Sequence, residues 1–211
     1  MRAGFTDSLS VGLGIFPLGI GLGFLVIQAG LPWWIAPALS IGIFAGSVEF
    51  LMVGMLAAVT PLITVAVTVL AVNFRHVFYA FSFPIHLTKP GLPRAYSVYA
   101  MIDEAYATAV MVPEKQQTGV RLLTMQIACQ VYWVGGALLG VFIAGLLPST
   151  VEGFEFALVA LFTVMTIDSF RGKRELPQAA LAGFAVAFAL ILTPNSAMLT
   201  SLLIFFILLT M

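Results

Sequence analysis

The chain has 211 residues, 61% of them hydrophobic and only 9% charged, with nine basic residues balanced by nine acidic ones. A soluble domain carries about 25% charged residues, so this composition excludes a water-soluble globule and points to a single polytopic membrane domain spanning residues 1–211, with the lipid bilayer as its solvent. The zero net charge leaves no basic patch for nucleic acid, and the lone Cys129 excludes an internal disulfide and a thiolate metal site.

The uncharged run over residues 8–48 is too long for one crossing, because a bilayer core takes about 20 helical residues. It also exceeds the apolar core of a cleavable signal. The run divides at Gln28-Ala29-Gly30-Leu31-Pro32, and Trp33-Trp34 suit a membrane interface. Helix 1 is predicted over 10–29 and helix 2 over 34–59. Helix 1 combines Pro17 with Gly12, Gly14, Gly19, Gly21 and Gly23. Proline removes a backbone donor, so the segment reads either as a discontinuous helix lining a substrate site or as a kinked helix whose glycines permit close packing. Helix 2 carries Gly46-Ser47 just before Glu49 in mid-span. An acid there faces a cavity or a partner, or it serves as structural glue for an Arg.

Thr60-Pro61 turns the chain into helix 3, predicted over 62–85, which holds Asn73, Arg75 and His76. Tyr79 lies four residues past Arg75 and shares its face. An intramembrane Arg costs roughly 2.5–3.5 kcal/mol at a helix centre on insertion scales, so it calls for a partner. Helix 4, predicted over 96–112, supplies candidates in Asp103 and Glu104. Adjacent residues diverge by about 100° around a helix, so the two carboxylates cannot both face Arg75 squarely. Helix 5 is predicted over 122–147, helix 6 over 156–170, helix 7 over 178–192 and helix 8 from 198 to the end.

The basic loops set orientation. Arg171, Lys173 and Arg174 are expected on the cytoplasmic side, together with Arg2, Lys115 and Arg121. Eight crossings satisfy these three groups but place Lys89 and Arg94 outside. That misfit leaves a seven-crossing arrangement open, with one short segment re-entrant. The glycine-rich helices 1 and 5 hint weakly at duplicated halves.

Arg75 and exposed amides at a helix break suit a carboxylate, and Asp103, Glu104 or Glu49 suits an ammonium. The buried set of Glu49, Arg75, His76, Asp103 and Glu104 therefore fits a small zwitterion with an apolar side chain. His76 and the carboxylates are candidate proton carriers. The plain alternative is a structural ion pair at which nothing binds.

Pro17-Leu18-Gly19, Gly46-Ser47-x-x-Phe50, Asn73-Phe74-Arg75-His76 with Tyr79, and Asp103-Glu104 together resemble the AzlC family, the large subunits of branched-chain amino-acid exporters. The likeness carries motifs through helices 1 to 4, and covers helices 5 to 8 by length and hydropathy. It implies export of valine, leucine, isoleucine and, by extension, methionine across the cytoplasmic membrane, with a small AzlD-type membrane subunit as partner. The chain departs from the family pattern at Glu49, where glutamine is usual.

The expectation is thus an all-α membrane bundle with some discontinuous helices, acting as a proton-driven secondary transporter of small apolar amino acids. Asn73, Arg75, Asp103, Glu104, Glu49, Pro17, Gly46 and Ser47 are expected at the substrate. His76, Glu49, Asp103 and Glu104 are expected to move protons. No cofactor or metal is implied. An intramembrane enzyme built on His76 and Asp103/Glu104 lacks a nucleophile or a His-Glu-x-x-His pattern, and a pure scaffold would gain little from buried charges.

Overall fold

The computed structural model describes residues 1–74, 76–147, 163, 176–193 and 197–210. Arg75, the predicted helix 6 and the basic loop at 171–174 lie outside the described residues. Those described form helices and no strand. They fall into two units, Met1–Thr60 with Asn73–Val151 and Pro61–Val72 with Glu152–Met211.

The first unit is built on two long helices, α1 (Arg2–Gln28) and α8 (Gly119–Leu146). Both are long and apolar enough to cross a bilayer. They pack along each other, and small residues make this possible. A Cβ on Gly19 would sit 2.7 Å from the Trp133 carbonyl, and one on Gly140 would sit 2.9 Å from the Ile20 Cα. Gly23 and Gly136 are equally tight against Ala137 and Phe16. Close backbone approach of this kind is how helices associate where lipid removes any hydrophobic drive between them. The contacts climb together: Gly4 meets Arg121, Gly12 meets Tyr132, Gly19 meets Gly136, and Gly23 meets Val141. The helices are therefore parallel, and their N-termini share one end of the unit.

Pro17 does not break α1, which is continuous through it. The discontinuities lie elsewhere. Predicted helix 2 is two pieces, α2 (Ile35–Gly42) and α3 (Gly46–Ala57). In predicted helix 3, α4 (Leu62–Asn73) and α5 (His76–Ser82) lie on either side of Arg75, which is outside the described residues, and a single 3-10 turn follows at Ile85–Leu87. Predicted helix 4 is α6 (Leu92–Tyr99) and α7 (Asp103–Met111).

Helix 4 read as a crossing is corrected by this geometry. At about 1.5 Å per residue, α6 and α7 each cover about 12–14 Å of a core about 30 Å thick. The loop before α6 lies against the start of α8, where a Cβ on Gly119 would be 3.3 Å from the Thr88 Cα. Arg94 in α6 reaches back to the Thr88 carbonyl at 2.9 Å. The loop after α7 returns to the same place, where Gln117 donates to the Val112 carbonyl at 2.9 Å. The segment enters and leaves at one end. It is a re-entrant hairpin, and Lys89 and Arg94 join Arg2, Lys115 and Arg121 at that end. Among the described residues the basic groups therefore share one end.

An ion pair fastens the same end. Arg121 donates to both carboxylate oxygens of Asp7, at 2.5 and 2.8 Å. A cavity of about 20 Å³ lies beside it, lined by Asp7, Thr108, Gln117, Arg121 and Met125 among others. That is room for about one water molecule and far too little for an amino acid.

In the second unit α4 contributes Pro61–Val72, while α9 (Leu176–Leu192) and α10 (Ala197–Thr210) pack together as a hairpin. Thr193 closes their turn by donating to Thr200 at 2.7 Å.

Candidate functional site

The first break, residues 43–45, bends at Phe44, which has φ +48°. A left-handed residue other than glycine costs roughly 1–2 kcal/mol, so something must hold it. The Phe44 ring is buried and packs on Tyr99 with centroids 5.9 Å apart. Four residues on, Glu49 folds back and accepts the Ala45 N–H at 2.8 Å. This caps the start of α3, as a side-chain acceptor at a helix N-terminus does. Glu49 is fully buried, and the Trp133 indole N–H is shared between its two oxygens at 3.0 Å each. Among the described residues Glu49 makes no ion pair. Gly46 and Ser47 form the first turn of α3, with Gly46 in ordinary contact with the Trp133 ring.

The break at 100–102 separates α6 from α7. The carbonyls of Ser97 and Ala100 lose their helical donors there, and both accept from the Gln126 amide at 2.9 Å. The Gln126 oxygen accepts the Ser97 hydroxyl at 2.7 Å. Gln126 is completely buried, so these three bonds satisfy it inside the bundle. Asp103 and Glu104 open α7, where the positive end of the helix dipole favours negative charge. Asp103 accepts the Tyr79 hydroxyl at 2.8 Å. Glu104 lies within electrostatic reach of the buried Cys129.

The end of α4 and the start of α5 bring a third group of predicted residues to the same place. Asn73 ends α4, and the His76 ring nitrogen Nδ1 lies 3.0 Å from the Asn73 carbonyl. The His76 ring meets Tyr79 edge-on at 5.3 Å, and Tyr79 stacks on Tyr106 at 4.2 Å. Among the described residues the buried Asn73 Oδ1 has no hydrogen-bond partner. Asn73, His76, Tyr79 and Asp103 thus form one cluster, while Glu104, beside Asp103 in α7, lies toward Cys129. Arg75, between Asn73 and His76 in the chain, lies outside the described residues.

Glu49, Gly46 and Ser47 form a second cluster, and α6 joins it to the first. The Tyr99 hydroxyl donates to the Ile41 carbonyl at the end of α2. Pro17 stands apart, on the exposed face of α1.

Sequence reasoning missed the residues that hold these breaks. Gln126, Gln130 and Trp133 recur at i, i+4 and i+7, so they share one face of α8. Gln130 accepts the Tyr96 hydroxyl at 2.8 Å and donates to the Tyr99 oxygen at 2.7 Å. Two amides and an indole on one stripe of a spanning helix were the available signal, because buried polar groups need partners.

The profile of the AzlC protein family matches residues 10–147. The chain belongs to the AzlC family. An uncharacterized membrane protein of Haemophilus influenzae is 29% identical over 100% of this chain and 88% of its own length. The branched-chain amino acid transport protein AzlC of Bacillus subtilis is 29% identical over 89% of this chain and 74% of its own. The inner membrane protein YgaZ of Escherichia coli is 28% identical, over 90% and 82%. No solved structure matches. With its long apolar helices, this AzlC-family chain is an integral membrane protein.

Proposed function

We propose that this AzlC-family chain is a secondary transporter of small apolar amino acids, branched-chain ones foremost, working with a small AzlD-type membrane subunit. One observation carries the reading: two breaks inside the membrane-embedded unit meet at Tyr99, and acidic residues open the helix that follows each break. Irregular backbone at membrane depth is tolerated where it is buried in protein or lines a cavity, and binding sites at broken helices use that freedom. The substrate ammonium is taken by Asp103 and Glu104, helped by the Asn73 oxygen, which has no partner among the described residues. Its carboxylate is taken by Arg75 and by backbone N–H groups at the start of α3. The B. subtilis relative's name supports the branched-chain assignment. The basic end of the unit faces the cytoplasm, and transport runs outward.

Glu49 is the coupling proton's site in this reading. It is buried, accepts from N–H donors among the described residues, and its Oε1 alone accepts from both Ala45 and Trp133. A glutamine keeps that doubly bonded oxygen, so Glu49→Gln separates capping from proton carriage.

Counterflow of labelled valine into proteoliposomes holding the chain and its small partner tests the reading. Wild type accumulates label, and Asp103→Asn loses at least 90% of it at normal protein level. Glu49→Gln keeps counterflow but no longer responds to an imposed pH gradient. Wild-type vesicles that equilibrate no faster than empty ones, for any branched-chain amino acid, contradict the proposal.

A further inference from the structure

In an uninterrupted helix the Ala45 N–H would donate to the Ile41 carbonyl four residues earlier. In this protein both halves of that bond are intact but spoken for elsewhere. Glu49 accepts the Ala45 N–H at 2.8 Å, and the Tyr99 hydroxyl donates to the Ile41 carbonyl. Each of these side chains is in turn fixed by α8, Glu49 by Trp133 and Tyr99 by Gln130. The α2–α3 break is therefore held open from its donor side and from its acceptor side, by residues of two different elements.

We propose that Tyr99, oriented by Gln130, is a positioning residue that keeps the α2–α3 break open and ties it to the α6–α7 hairpin. Tyr99 is the last residue of α6. When the hairpin carries it away from Ile41, the freed carbonyl is available to the Ala45 N–H as soon as Glu49 releases it. The first break can then close only in step with movement at the second. Gln130 supplies the alignment. Its oxygen is occupied by Tyr96, which fixes the amide so that an N–H points at the Tyr99 oxygen and the Tyr99 proton is directed at Ile41. This inference rests on the transport reading for its meaning, but the hydrogen-bond exchange it describes stands on geometry alone.

Tyr99→Phe removes the hydroxyl and leaves the ring contacts with Phe44 and Tyr96 in place. A cycle with Glu49→Ala tests the proposal without reference to transport. Each single variant strands one half of the helical bond and lowers the melting temperature of the purified protein. The double variant lets the two halves pair, so it melts no lower than the weaker single. Additive losses overturn the proposal, since independent packing contacts would behave that way. Gln130→Leu provides a second entry to the cycle and reproduces Tyr99→Phe, in isolation and with Glu49→Ala. In proteoliposomes Tyr99→Phe slows valine counterflow about tenfold while the binding constant for valine stays within twofold. An equal loss of binding and flux would assign Tyr99 to the substrate instead. Failure of wild-type counterflow alone sinks the transport reading and leaves the melting cycle to decide the positioning role.

Discussion

The α1–α8 pair and the broken helices α2–α3 and α6–α7 solve the same problem in opposite ways. Every peptide group in a bilayer must find a hydrogen-bond partner. The long pair satisfies its backbone within each helix and uses glycines to bring the two backbones together. The broken helices leave groups unpaired and recover them from side chains, either carried by one face of α8 or, as with Glu49 and Tyr99, held in place by it. The first arrangement has one low-energy form. In the second, partners are exchanged between side chains and backbone at little net cost, which is what a moving part requires. In this bundle the helix α8 serves both, as the rigid wall for α1 and as the supplier of bonds to the breaks.

Substitutions at the tight glycines break the comparison most severely. Gly23→Leu would place a side chain inside the Ala137 carbonyl, and no intact α1–α8 pair should form. Folded protein should vanish on size-exclusion profiling, whereas Gly14→Leu, with open space around it, should be recovered at wild-type yield. Next is Gln126→Ala, which leaves the Ser97 and Ala100 carbonyls without donors. Each buried polar group left unsatisfied costs about 1–3 kcal/mol, so a large drop in melting temperature is expected, with Gln126→Glu restoring at most one of the two bonds because a protonated carboxyl has a single O–H to donate.

Asp103→Asn should act on flux rather than fold. Its remaining oxygen still accepts the Tyr79 hydroxyl, so melting should move little while counterflow collapses. The smallest effect is expected at Asp7→Asn. The Asp7–Arg121 pair is partly exposed at the membrane end, where such pairs are worth about 0–1 kcal/mol, and melting in low and high salt should show a shift of that order.

Much of the fold was legible in the sequence, because apolar run length, Trp33-Trp34 and Thr60-Pro61 fix where spans begin and end. The re-entrant hairpin was foreshadowed only by the charge of Lys89 and Arg94, since hydropathy cannot tell a short crossing from a hairpin of the same composition. Pro17 misled. Proline in a helix costs a bond, but whether the helix breaks depends on packing, and the wall of α8 keeps α1 whole. The meeting of His76 and Asp103 through Tyr79 followed from rarity alone, as ionisable groups in lipid need company. Gln126 and Gln130 were passed over because a neutral amide carries no such alarm; its importance appears only when the carbonyls it serves are known to be free.

The most direct measurement is protection of engineered cysteines by valine in membranes, in a Cys129→Ala background. Cysteines replacing Ser47, at the start of α3, and Met101, between α6 and α7, report on the two breaks. A cysteine replacing the exposed Lys115 reports on the fixed end of α8. Saturating valine should slow thiol labelling severalfold at Ser47→Cys and Met101→Cys and leave Lys115→Cys unchanged. Equal rates with and without valine at both breaks would contradict a substrate site between them.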